Sequence, residues 1–285
     1  MTFLHRHRWL TPYLLLAPAL AFLAFFFLVP LYYLLNTSLQ EGTAITGFTF
    51  TWAWNNYSDA ITQYHEQFLR SLEYGVIATA LALAISYPLC YWIAFRGGRW
   101  KNLLLLCIVA PFFVTYLIRT IAWGTILADE AIVVDVLQAI GVLGEDGRLL
   151  DTSVAVVAGI TYNFLPFMAL PLYVSLEQID QRLIEAAQDL YASRAKAFLR
   201  VTLPLSLPGV VAGTLLTFIP AVGDFINAEL LGTPKQSMIG NVIQSEFLVR
   251  TDYGEAAALS VVVMAAVLLL IVAYTKVVGS ERLTG

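Results

Sequence analysis

Six apolar stretches dominate this sequence: Leu10–Leu35, Leu72–Phe95, Leu103–Leu127, Ser153–Leu176, Pro208–Leu231 and Ala256–Val278. A hydrocarbon core about 30 Å thick takes about 20 helical residues to cross. Lipid offers backbone groups no partner, so each stretch must close its own hydrogen bonds as a helix. The expectation is an all-α integral membrane protein with six transmembrane helices, organised as one domain over residues 1–285. Composition agrees, since 13% of the residues are charged against about 25% in a soluble domain. A net charge of −4 excludes a broad basic face for nucleic acid. Cys90 and Cys107 are too few for a disulfide scaffold or a four-cysteine zinc site, and both read as small buried hydrophobes.

The first stretch follows His5-Arg6-His7-Arg8 and contains Ala19-Leu20-Ala21, so a cleavable signal peptide must be weighed. Its apolar run continues to Leu35, well past the roughly 7–15 residues of a signal core, and a retained span is expected. Lysine and arginine accumulate in cytoplasmic loops. Arg6, Arg8, Arg96, Arg99, Lys101, Arg182, Arg194, Lys196, Arg200, Lys276 and Arg282, eleven of the 16, share one side of a six-span drawing. Both termini are therefore expected in the cytoplasm. On the opposite side lie Asp129, Glu130, Asp135, Glu145, Asp146 and Asp151, either solvated loop charge or an acidic vestibule.

Catalytic parts are missing. There is no G-x-x-x-x-G-K-[ST] phosphate loop. His65-Glu66 begins like a zinc-protease helix, but Leu69 stands where the second histidine belongs. The histidines are His5, His7 and His65, all outside the apolar stretches, so a membrane-embedded serine dyad lacks its base. The sequons at Asn36 and Asn56 are short patterns that recur by chance.

The segment from Glu177 to Leu207 is a charged insert between the fourth and fifth stretches. Ile179, Leu183, Ala187 and Leu190 recur at helical spacing and form an apolar stripe. Asp180 is placed to cap the helix, and a second helical stretch carrying Arg194, Lys196 and Arg200 should stop at Pro204. The stripe either packs on the inner mouth of its own bundle or docks on another chain.

Residue order adds to this. Glu185-Ala186-Ala187, Val201, Leu203 and Pro204 resemble the E-A-A-x₃-G-x₉-I-x-L-P signature, the EAA loop, of permease subunits in binding-protein-dependent ABC importers. Leu117-Ile118-Arg119, Phe164-Leu165-Pro166-Phe167-Met168 and Ile239-Gly240-Asn241-Val242-Ile243 look like the spermidine/putrescine branch of that family, in its first permease. Tyr191 replaces the family glycine, so either the turn is reshaped or Tyr191 stays in αR and adds its ring to the docking face. The resemblance implies a type I importer permease in the bacterial inner membrane, one half of a heteromeric polyamine pathway. It also implies a second permease, two copies of an ATPase, an extracytoplasmic binding protein and surrounding lipid as partners, with no nucleic acid. ATP and Mg would be used by the ATPase, with no cofactor on this chain. Glu185, Ala186, Ala187, Leu190, Tyr191, Val201, Leu203 and Pro204 would form the ATPase-docking loop.

Ionisable residues inside a span are costly and mark function or a structural pair. Arg119 is expected either to snorkel or to pair with an acid, Asp224 or Glu229. Pro220 and Gly223 should break the helix before Asp224. In the functional reading Asp224 or Glu229 meets an ammonium group while Tyr116, Trp123 or Tyr162 supplies ring faces. Gly209 and Gly213 allow close helix contact, either within the bundle or between permeases. Alternatives are a permease for an opine or an anion, or a gradient-driven transporter, although no inverted repeat is visible.

Overall fold

The computed structural model describes residues 10–43, 47–144 and 147–278. His5, Arg6, His7, Arg8, Glu145, Asp146 and Arg282, which entered the reading of topology, lie outside them. In chain order the elements are α1 (Leu15–Thr37), the strands β1 (Gln40–Thr43) and β2 (Gly47–Phe50), α2 (Asn55–Gln63) and α3 (His65–Arg96). Next come α4 (Gly98–Phe113), α5 (Tyr116–Ile126), α6 (Ile132–Ala139), α7 (Ser153–Glu177) and α8 (Gln181–Asp189). The chain continues through α9 (Arg194–Val222), α10 (Ile226–Leu231), α11 (Ile239–Ser245) and α12 (Tyr253–Val278). Five of these are long and apolar enough to cross a membrane; α4 and α5 pass the same test only when taken together across a sharp bend, as a broken span or a re-entrant loop.

Two compact units divide the chain: Met1–Gln63 with Ser245–Met264, and Tyr64–Gln244 with Ala265–Gly285. In the first, α1 leads into an antiparallel hairpin that pairs Gln40 with Phe50, an element the all-helical reading missed. The Asn56 amide donates to the carbonyls of Ser38 and Gln40, both at 3.0 Å, and holds the hairpin's stem. Phe48 and Phe247 pack on Tyr253, each at 5.0 Å between centroids.

In the second unit α7 packs along both α3 and α9. Between helices in lipid the drive is close packing rather than escape from water. Ala78, Ile160, Met168, Leu172 and Leu176 are fully enclosed accordingly. Gly209 and Gly213 settle their own role here. A Cβ on Gly209 would lie 2.5 Å from Ser175 Cβ, and one on Gly213 would lie 2.8 Å from Met168 Sδ, so both serve α7–α9 contact within this chain.

Four expectations need correction. The third stretch is not a straight span: α4 and α5 meet at 97°, because Pro111 sits in a 3₁₀ turn and Val114 and Thr115 take extended backbone. β-Branched residues favour that conformation. The fifth stretch does not begin at Pro208, since α9 runs Arg194–Val222; its far end breaks before Asp224, as Pro220 and Gly223 led one to expect. Pro204 does not stop the helix. A π turn over Phe198–Thr202 precedes it, leaving Pro204 in the first turn of the next α segment, where a missing N–H breaks no ladder bond. Finally, Cys90 is buried and its thiol donates to the Ala169 carbonyl at 3.3 Å, but Cys107 is exposed on α4.

Candidate functional site

The two helix breaks are joined to each other. After Gly223 ends α9, the Asp224 carboxylate accepts from the Asn227 backbone at 2.9 Å, which starts α10. Its other oxygen accepts from the Asn227 amide at 2.7 Å and from the hydroxyl of Tyr116, the first residue of α5 beyond the 97° bend. Asn227 also donates to the Tyr116 hydroxyl at 2.6 Å. Asn163 on α7 donates to Asn227 and to Thr120, both at 3.1 Å, so three spans share one polar network. Asp224 is 6% exposed. Such a group is tolerable in an apolar interior because its acceptors are occupied.

Gly240 lets α11 approach this break: a Cβ there would lie 2.7 Å from the Gly223 carbonyl oxygen. Asn241 then donates to the Phe225 carbonyl at 2.9 Å and to Glu229 at 3.1 Å. Glu229 itself is exposed.

Arg119 forms no ion pair with Asp224 or Glu229 and does not snorkel out, being 8% exposed. The phenol of Tyr116 intervenes. The guanidinium carbon lies 5.7 Å from that ring's centroid, while the ring's hydroxyl holds Asp224. Phe112 offers a second ring at 5.1 Å. Trp123 and Tyr162, 5.3 Å apart, line a cavity of about 310 Å³ beside Arg119.

The charged insert forms a helical hairpin. Asp180 caps α8 by accepting from the Arg182 backbone at 2.9 Å, and Ser193 caps α9 by accepting from Lys196 at 3.3 Å. Between them Tyr191 takes φ +61°, correcting the expectation of αR or a reshaped turn. Its N–H reaches the Gln188 carbonyl at 2.9 Å and that of Ala192 reaches Ala187 at 3.0 Å, the paired bonds of a left-handed helix end that glycine usually occupies. The expected stripe splits. Ile179 is buried and Ile184 packs against the same core, whereas Leu183, Leu190 at 81% and Tyr191 at 99% face outward. Glu185 is exposed as well.

The family model described as "Binding-protein-dependent transport system inner membrane component" matches residues 86–278. The chain belongs to that family of ABC importer permeases. This permease is 37% identical to the spermidine/putrescine transport system permease protein PotB of Haemophilus influenzae, over 88% of this chain and 89% of the relative. It is 33% identical to PotB of Escherichia coli K12, over 89% and 93%. Among solved structures it resembles a chain of a bacterial ABC transporter involved in the import of the acidic polysaccharide alginate. That likeness has a TM-score of 0.70 and 17% identity, over 99% of this chain and 98% of that one, and it concerns the fold.

In this permease the structure brings Tyr116, Asp224 and Arg119 together around one ring, with Trp123 and Tyr162 beside them, and leaves Glu229 on the surface. Sequence reasoning missed Thr120, Asn163 and Asn227. The signal in the sequence is an uncharged amide inside an apolar stretch, which is costly unless paired.

Proposed function

We propose that this chain is one of two related permease subunits of an ATP-driven importer for a small polyamine such as putrescine or spermidine. The observation that carries the mechanism is continuity: α9 runs 29 residues from the hairpin at Arg194 to the break at Val222 without a bend marked by a second break. At 1.5 Å per residue it is a rod about 43 Å long. The exposed Glu185, Leu190 and Tyr191 suit a groove on a separate ATPase, where apolar side chains bury and a carboxylate meets a basic group. Closure of two ATPase copies on ATP and Mg would push the rod and strain the Tyr116–Asp224 tie at its far end. Release of that tie frees the Asp224 carboxylate for a passing ammonium, with Trp123 and Tyr162 as ring faces. Cargo class rests on the near full-length likeness to spermidine/putrescine permeases.

The excess of lysine and arginine on one side supports a cytoplasmic hairpin and cytoplasmic termini in a bacterial inner membrane, with an extracytoplasmic binding protein delivering the cargo. Glu185→Lys should insert normally and leave basal ATP hydrolysis intact, yet lower ATP-driven putrescine uptake by more than about tenfold, or ~1.4 kcal/mol of coupling. Proteoliposomes holding both permeases and the ATPase measure this. Normal uptake by the variant, or gradient-driven uptake without any ATPase, overturns the reading.

A further inference from the structure

The outward face of α3 ends in uncompensated charge. Ile77, Leu81, Ile85, Leu89, Trp92 and Arg96 recur at spacings of three and four and are all exposed, while Ala78, Ala82, Cys90 and Ile93 on the other face are enclosed. A bulky apolar stripe left open on a spanning helix lies against acyl chains or another protein. From Leu81 to Arg96 the stripe rises about 22 Å, enough to cross one leaflet of a hydrocarbon core about 30 Å thick. An arginine facing acyl chains is costly, so Arg96 belongs at the headgroup level, where indole rings such as those of Trp92 and Trp100 also settle. The turn Gly98–Trp100 adds Arg99, whose guanidinium carbon lies 5.4 Å from the Trp100 ring centroid. Lys101 is paired with Glu177 at 2.9 Å, whereas Arg96 and Arg99, both exposed, have no ion pair among the described residues.

We propose that this face of α3 seats one anionic phospholipid of the leaflet on the lysine- and arginine-rich side. Its acyl chain lies along Leu81, Ile85 and Leu89, and Arg96 and Arg99 hold its phosphate. A guanidinium fits a phosphate through paired hydrogen bonds. Charge selects the lipid class, since two positive groups without an acid favour a headgroup of net negative charge over a zwitterionic one. The site does not rest on the polyamine reading.

Trp92 is the reporter, read as the fluorescence component that Trp92→Phe removes. The purified full chain is placed in phosphatidylcholine nanodiscs holding a small fraction of lipid with brominated acyl chains, which quench an indole on contact. At equal fraction, brominated phosphatidylglycerol should occupy the face about tenfold more effectively than brominated phosphatidylcholine. Arg96→Gln combined with Arg99→Gln should erase that preference, and Arg96→Lys combined with Arg99→Lys should keep most of it. Equal quenching by the two lipids in wild type overturns the site, as does an undiminished preference in the folded double glutamine variant. Loss of quenching by both lipids on assembly with the second permease shows that chain to cover the face, and overturns the site as well. If the double glutamine variant does not fold, the wild-type comparison of the two lipids decides alone. Each of these results leaves the polyamine reading standing, because no transport is measured.

Discussion

The hairpin at Asp180–Lys196 and the cluster around Asp224 solve opposite problems. The hairpin satisfies its backbone from residues two to five positions away, through the Asp180 and Ser193 caps and the paired bonds at Tyr191, and turns Leu183, Leu190 and Tyr191 outward. The cluster satisfies side chains across the fold: Tyr116 reaches Asp224 over 108 positions and Asn163 reaches Asn227 over 64. A locally closed element keeps its shape whatever it touches, and so is suited to carry a push. A cross-linked one holds only while its spans stay in register, and so is suited to open.

The sharpest way to break this contrast is Asn227→Leu. It removes the group that bonds Asp224, Tyr116 and Asn163 together, leaving buried acceptors short of donors. Thermal unfolding in detergent should show a loss of about 2–3 kcal/mol. A melt like that of wild type would mean the breaks are held by packing alone. A smaller effect of opposite sign is expected at Tyr191, whose left-handed backbone costs a bulky residue ~1 kcal/mol. Tyr191→Gly should slow hydrogen exchange at Tyr191 and Ala192 about fivefold while weakening binding to the ATPase. Faster exchange would show that the ring supports the turn. The smallest effect belongs to Arg148, which Asp129 at 2.9 Å and Asp151 at 3.4 Å hold above the ordinary guanidinium range. A raised pKa gives a contribution that is lost only as pH climbs through it, far into the alkaline range. The pair also lies in solvent contact, with about half of each side chain exposed. Arg148→Ala should therefore leave the melt unchanged between pH 5 and 9, and a measurable drop would show that the loop acids are organised.

The same contrast explains what could be read in advance. Spans are legible because apolar length is a local property, and so are the Asp180 cap and the Glu185-Ala186-Ala187 spacing. The bend at Val114-Thr115 is not, since two extended β-branched residues look like any others in an apolar run. Pro204 misled because a π turn upstream removed the clash that would have ended the helix. Asp224 and Tyr116 were both legible as candidates, but not as a bonded pair, and Asn227 was not legible at all: nothing near Asp224 in sequence points to a hydroxyl 108 positions away.

The unbroken course of α9 also sets a phase. Each residue advances a helix by about 100° and 1.5 Å. Inserting one residue between Arg194 and Val222 would swing Glu185 and Tyr191 more than a quarter of the way around the helix axis relative to Asp224, while barely lengthening the rod. Motor grip and cargo passage are thus set at a fixed angle to one another, like two cranks cut on one shaft, and α9 can accept changes of side chain far more readily than changes of length.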